Sequence, residues 1–293
     1  MIKRFDEAYS GKVFIASLPE VTEAKTVLYG MPMDWTVSFR PGSRFGPNRI
    51  REVSIGLEEY SPYLDGDLAD AAVYDAGDIP LPFGNAPKSL DMIEAFVKDV
   101  VKAGKFPLGM GGEHLVTWPI IKAMHDVYGN DFVILHLDAH TDLRDEYEGE
   151  PLSHSTPLKK AANLIGPSNC YSFGIRSGMK EEFEWAREVG YNMHQFEVIE
   201  PLKRVLPTLA GKKVYVTIDI DVLDPSAAPG TGTQEIGGIS TKELLEAVHA
   251  IANADLDIIG ADLVEVSPAY DQSDMTAIAA AKILREMMIG FVK

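Results

Sequence analysis

Short apolar runs alternate along the chain with longer segments whose apolar residues recur every three or four positions. Val27-Leu28-Tyr29 reads as a strand, and Pro47 suits the first turn of a helix running toward Tyr60. From Ser89 to Ala103, Leu90, Ile93, Val97, Val100 and Val101 share one helical face, and Gly104 can end that helix. Phe106 to Gly109 is a short strand, and 115–128 reads as a helix. Phe132 to Leu137 is apolar on both faces, as in a buried parallel sheet. The same pattern returns at Cys170 to Phe173, Val214 to Ile220 and Ile258 to Val264. Further helices are expected over about 179–189, 241–253 and 274–290, and Ser240 with Glu243 makes a capping box.

Strand–helix alternation of this kind predicts an α/β fold with a parallel sheet covered by helices on both faces. Ligands of such sheets bind beyond the carboxyl ends of the strands. Those ends carry Gly111-Gly112-Glu113-His114, Asp138-Ala139-His140-Thr141-Asp142, Asp219-Ile220-Asp221 and Glu265. In extended chain, residues i and i+2 project to the same side, so Asp138 can point with His140, and Asp219 with Asp221. Four aspartates in one pocket cannot all stay ionised and buried without compensation. Two divalent cations would neutralise them, with imidazoles completing the coordination. Mixed oxygen and imidazole ligation without thiolate favours Mn²⁺ over zinc, and Mg²⁺ takes few imidazoles. His136 reads as a packed histidine beside the cluster rather than a ligand. Asp262 is a candidate support behind it. Asp224, before Pro225, reads as turn chemistry, and His125, His194 and His249 as solvated side chains on helices or surface.

Composition narrows the classes. Of 293 residues, 46% are hydrophobic and 24% charged, an ordinary globular balance. No repeat, low-complexity tract or linker interrupts the chain, so 1–293 is expected to form a single domain. With 27 Lys and Arg against 44 Asp and Glu, the formal charge is −17. That surface repels nucleic-acid phosphates and anionic lipids, and is permissive for a cationic substrate. Cys170 is the single cysteine, which excludes an intrachain disulfide or a cysteine zinc site and fits a reducing cytoplasm. The start, Met1-Ile2-Lys3-Arg4-Phe5-Asp6-Glu7, has no apolar signal region, and no window suits a transmembrane helix.

Taken together, these motifs resemble the ureohydrolase family of arginases, agmatinases and their relatives. The likeness rests on Gly-Gly-Glu-His (111–114), Asp-Ala-His-Thr-Asp (138–142), Ser-His-Ser-Thr (153–156), Asp-Ile-Asp-Val-Leu-Asp-Pro (219–225), Gly-Thr-Gly-Thr (230–233), Glu-Val-Ser-Pro (265–268) and Pro-Gly-Ser-Arg-Phe-Gly-Pro (41–47). It spans roughly 27–290 and is greatest to the agmatinase branch. The resemblance implies a three-layer αβα sandwich around a parallel sheet of about eight strands, two Mn²⁺ per subunit and a trimer or hexamer. It implies one manganese on His114, Asp138, Asp142 and Asp219, and another on Asp138, His140, Asp219 and Asp221. Asp138 and Asp219 would bridge, Glu265 would receive the substrate guanidinium, and His154 would shuttle protons. Ser155 departs from the usual glycine, and Gln234 and Ile236 from two prolines.

The expected chemistry follows. A guanidinium is a poor electrophile, and a water shared by two divalent metals can lose a proton near neutral pH. The hydroxide would attack the guanidinium carbon, Asp142 would pass its proton to the leaving amine, and urea would be released. Between Asp142 and His154 the loop carries Asp145, Glu146, Glu148 and Glu150 beside Arg144, which favours a second cation over an α-carboxylate. That points to agmatine rather than arginine. A sibling acting on guanidinobutyrate or another guanidino acid stays open, as does a non-catalytic relative, although no presumed ligand is lost here.

Overall fold

The computed structural model describes Ile2 and residues 12–292. Of the amino-terminal stretch 1–7 read above, only Ile2 therefore falls within the described residues. Eight strands form one sheet: β1 (Thr26–Met31), β2 (Val73–Asp78), β3 (Phe106–Gly111), β4 (Val133–Leu137), β5 (Cys170–Ile175), β6 (Asn192–Gln195), β7 (Lys213–Asp219) and β8 (Asp257–Val264). Their order is β2-β1-β3-β8-β7-β4-β5-β6, and every neighbouring pair is parallel. A two-stranded antiparallel pair, Tyr60–Ser61 with Gly66–Asp67, stands apart from it.

Helices cover both faces: α1 (Gly46–Ser54), α2 (Ala86–Lys102), α3 (Thr117–Tyr128), α4 (Pro157–Ile165), α5 (Lys180–Val189), α6 (Ile199–Val205), α7 (Thr241–Asn253) and α8 (Met275–Phe291). Alternation along the strands sorts the apolar side chains into two layers. Val133, Leu135 and Leu137 of β4 face a core shared with Ile50 of α1, Leu202 of α6, Val248 of α7 and Leu284 of α8. Ile134 faces the other, with Ile93 of α2, Ile120 of α3, Leu158 of α4 and Ala186 of α5. The result is an α/β sandwich of three layers.

The six strands and six helices expected from the apolar pattern are all present, with shifted ends. Helix α1 stops at Ser54 instead of running toward Tyr60, because Gly56 follows and its N–H closes the turn on the Val53 carbonyl. Strands β2 and β6 and helices α4 and α6 were not anticipated. Both unanticipated strands lie at the sheet edges. In β2, Val-Tyr-Asp-Ala-Gly-Asp breaks the apolar alternation with two carboxylates, yet all six residues are buried.

Those carboxylates are held by a partner distant in sequence. The Arg51 guanidinium donates from Nε and Nη2 to both oxygens of Asp75 (2.8 and 3.0 Å) and from Nη1 to Asp78 (2.5 Å). Its side chain is fully buried. Although burial opposes the charge, the two carboxylates outweigh it and keep the guanidinium protonated. The Phe14 and Gly77 N–H groups also donate to Asp75. Removing the cation leaves two buried carboxylates uncompensated. Arg51→Ala is therefore expected to lower the unfolding free energy by about 3–5 kcal/mol. Denaturant unfolding measures it, and a loss under 1 kcal/mol contradicts this account.

Candidate metal centre

Four adjacent strands in the middle of the sheet, β3, β8, β7 and β4, deliver the side chains singled out in the sequence. Beyond β3, Gly112 lets two chain segments touch: a Cβ there would stand 1.9 Å from the Met33 carbonyl oxygen. The Gly112 carbonyl accepts from the Glu265 N–H (2.8 Å), and the Glu265 Oε1 accepts from the His114 N–H (2.9 Å). Asp219 ends β7 and caps the short turn after it by accepting from the Asp221 N–H (2.9 Å). The Ala139 N–H donates to Asp221 Oδ1 (3.1 Å), tying the ends of β4 and β7 together. Asp142 and Glu265 adopt left-handed backbone, at φ 51° and 65°. Such conformations cost of order 1–3 kcal/mol for non-glycine residues and concentrate at functional sites.

The side chains converge tightly. His114 Nδ1 lies 3.1 Å from Asp138 Oδ2, 3.0 Å from Asp142 Oδ2 and 3.3 Å from Asp219 Oδ2. His140 Nδ1 lies 2.9 Å from Asp221 Oδ2 and 3.6 Å from Asp138 Oδ1. Asp138, His140 and Asp221 offer donor atoms all within 4.8 Å of one another, as do His114, His136 and Asp138. All six ligands expected from the sequence are thus together. His136 joins the second of these groups, but its Nε2 is already bonded to Asp138 Oδ2 (2.8 Å) and its Nδ1 to Ser172 (2.8 Å), whose hydroxyl meets Tyr191. It buttresses a carboxylate, as the sequence reading held.

Burial raises the cost of this arrangement. Burial, then repulsion from Asp221 and Asp138, pushes the Asp219 carboxyl well above the usual range. Burial would pull the His114 imidazole down, but its carboxylate neighbours reverse that and hold it well up; the same balance raises His140. Two of the cluster's buried atoms, His114 Nδ1 and Asp221 Oδ2, make no well-directed hydrogen bond. An imidazole nitrogen and a carboxylate oxygen that lack a well-directed hydrogen bond among acidic oxygens fit divalent cations.

A network beneath the cluster selects the imidazole tautomer. Asp262 accepts from Thr217 Oγ1 (2.6 Å), Thr117 Oγ1 (2.9 Å) and the Tyr215 hydroxyl (2.5 Å). Because the Thr217 hydroxyl proton is committed to Asp262, its oxygen accepts from His114 Nε2 at 3.0 Å. In the neutral ring that leaves Nδ1 free to act as a metal ligand. Asp262 was legible as a support. Thr217 and Tyr215 were missed, although their spacing of two before Asp219 puts all three on one face of β7.

Glu265 and His154 also meet here, with His154 Nδ1 3.3 Å from Glu265 Oε1. Burial depresses the His154 imidazole, but the Glu265 bond and charge prevail and raise it. His154 Nε2 faces Ser38. Glu113, buried next to His114, accepts from both the N–H and hydroxyl of Thr36 (2.8 Å each), and burial pushes its carboxyl up to about 7. Residues 36–38 were not anticipated as part of the site.

A cavity of about 270 Å³ opens onto the cluster, lined by His114, His140, Asp142, Asp219, Glu265 and His154. Its outer wall includes Arg144, Tyr147 and Met179, but none of Asp145, Glu146, Glu148 and Glu150. Here the sequence reading needs correction. The loop is acidic, but Glu148 and Glu150 line a separate cleft and Asp145 and Glu146 another. Arg144 faces the cavity, with its Nε 3.8 Å from Glu182 and its guanidinium 5.2 Å from the Tyr147 ring. Two histidines set aside as solvated are packed: His194 stacks on Phe173, and His249 bonds the buried Glu286 (2.9 Å). Asp224 is the turn residue expected, holding Ser226, Gly237 and Gly238.

Known proteins resemble this chain over nearly its full length. The chain is 71% identical over 290 residues to an agmatinase of Bacillus subtilis, covering 99% of this chain and 100% of that one. Its fold matches the agmatine ureohydrolase of Thermoplasma volcanium at a TM-score of 0.87 and 31% identity, covering 97% and 95% of the two chains. It matches the proclavaminate amidino hydrolase of Streptomyces clavuligerus at 0.86 and 30%, covering 96% and 97%. Residues 24–290 match the family model described as Arginase family. With that match and the shared fold, the chain belongs to the arginase family and is a ureohydrolase.

Proposed function

We propose that the chain hydrolyses agmatine to putrescine and urea, using two Mn²⁺ per subunit. The observation that carries the chemistry is the converged set of four aspartates and two imidazoles, in which His114 Nδ1 and Asp221 Oδ2 lack a well-directed hydrogen bond. Likeness to the Bacillus subtilis agmatinase supports the substrate. His114, Asp138, Asp142 and Asp219 would hold one ion, and Asp138, His140, Asp219 and Asp221 the other. Such a pair offsets the carboxylate charge and makes water a nucleophile near neutral pH.

The chain's own residues do the rest. Glu265 accepts the guanidinium N–H groups and matches its charge. Asp142 accepts a hydrogen bond from the attacking water and hands that proton to the leaving amine. His154 exchanges protons through Nδ1, which faces Glu265. We propose one domain over 1–293, working as a trimer or hexamer in the cytoplasm, without nucleic-acid or membrane partners. The continuous family match supports the single domain, the charge of −17 the lack of anionic partners, and the single cysteine the compartment. No helix among the described residues is long and apolar enough to cross a membrane. A second reading has one observation in its favour: Arg144 at the cavity wall would attract a carboxylate, as in 4-guanidinobutyrate.

Urea release over a panel of guanidines in Mn²⁺ decides between them. Agmatine is expected to exceed arginine by at least about 10²-fold in kcat/KM. A preference for 4-guanidinobutyrate would instead select the second reading. Since Glu146 and Glu148 do not line the cavity, Glu146→Gln with Glu148→Gln should change the agmatine-to-arginine ratio by less than about twofold.

Elemental analysis after manganese loading should give about two ions per chain, and one ion with full activity would refute the paired site. Asp138→Asn and Asp219→Asn should each cost more than Asp221→Asn. All should exceed the roughly 10–100-fold typical of losing an outer hydrogen-bond partner.

Ligand imidazoles must shed protons to bind metal, and His114 and His140 hold theirs more firmly than free histidine. Activity should therefore rise from acid toward alkaline pH. His154→Ala should lose turnover yet retain both ions; loss of an ion would make His154 a ligand.

A further inference from the structure

The imidazole of His154 is held from both sides. Nδ1 points into the cavity at Glu265 Oε1, 3.3 Å away. Nε2 points outward, accepting from the Ser38 N–H at 3.1 Å, with the Ser38 hydroxyl oxygen 2.8 Å away. A backbone N–H can only donate, so in the neutral ring Nε2 carries the lone pair and Nδ1 the proton. When the ring is charged, Nε2–H needs an acceptor, and the only one these contacts provide on that side is Ser38 Oγ.

Ser38 also occupies a boundary. It lines the catalytic cavity and, together with Tyr147, a second cleft of about 510 Å³ walled by Trp35, Pro87, Glu148 and Glu150. Glu148 and Glu150 are exposed, so this cleft meets solvent. His154 itself lines only the inner cavity of the two. The segment bearing Ser38 is pinned at both ends. Thr36 makes two bonds to buried Glu113, and Asp34 accepts from the Gly42 N–H (2.8 Å) and Arg44 (2.9 Å). A serine needed only to fill space would not require a segment fixed this closely against an imidazole.

We propose that Ser38 is the outward-facing relay for the His154 proton: its hydroxyl joins Nε2 to water in the cleft beside Glu148 and Glu150. A proton given up from Nδ1 into the cavity is matched by one taken up at Nε2 from Ser38 Oγ. The Ser38 hydroxyl regains its proton in the same step from a cleft water. Ring and serine end with the number of protons they began with. Ser38 is a positioning residue, acting on the reaction through His154. The inference rests on the role given to His154 in the proposed function and names the route by which that role is discharged.

The test uses full-length, manganese-loaded protein and urea release from agmatine. Ser38→Ala keeps the backbone N–H and removes the hydroxyl. Its kcat is expected to fall about 10-fold with KM within twofold, because the guanidinium contacts are untouched. Ser38→Thr, which keeps a hydroxyl, is expected to recover most of the loss. In Ser38→Ala, raising imidazole buffer at constant pH and ionic strength should increase kcat several-fold, while native kcat stays flat. That comparison is made within one sample, so partial misfolding cannot imitate it. Native kcat in Ser38→Ala, or a reduced kcat that no buffer raises and Ser38→Thr does not restore, overturns the relay. A native protein releasing urea from no guanidine would instead overturn the proposed function, and the relay with it.

Discussion

Buried negative charge is the constraint on which this structure depends. The sheet carries carboxylates where a solvated surface would be the inexpensive place for them, and it meets the cost in two ways. At the edge, Asp75 and Asp78 receive a guanidinium from within the chain, and the Arg51 side chain fits their oxygens so closely that the group is self-contained. At the centre, the partners of Asp138, Asp142, Asp219 and Asp221 are imidazoles. Imidazoles carry full positive charge only while protonated, and proton loss turns the same atoms into ligands. The edge is built to be closed, the centre to take up cations.

The centre was legible in the sequence because strand ends, strand spacing and charge arithmetic are local. Asp138 and His140, or Asp219 and Asp221, need only an extended chain to point together. Two strands and two helices were hidden because their reasons lie elsewhere in the chain. Strand β2 looks too polar until Arg51 is placed beside it, and Asn192–Gln195 has no apolar alternation to declare it. The acidic loop misled for a related reason. Charge along a segment says nothing about which side chains turn inward, and the charged one that lines the cavity is Arg144.

The supports behind the ligands were half visible. Asp262 was a candidate support from the sequence, but Thr217, which joins it to His114, went unread. His136, Ser172 and Tyr191 form a similar chain behind Asp138. Both chains lie on the face of the sheet covered by α2 to α5, where alternate residues of β4, β7 and β8 point. The strand period that places ligands at the rim therefore also places their supports underneath, and one pattern serves both purposes.

Ligands on strand ends and cavity walls on loops make two parts that can change at different rates. Every presumed metal ligand ends a central strand or lies within about five residues after one, whereas Arg144, Tyr147 and Met179 belong to the longer connecting segments. A substitution in the 143–153 loop can reshape the entrance without moving a ligand or disturbing the hydrogen bonds that orient it. Inheritance then tolerates substrate drift far better than loss of the reaction. Engineering should find the same asymmetry: libraries confined to this loop would sample new amidines, while the strand ends would best be left alone.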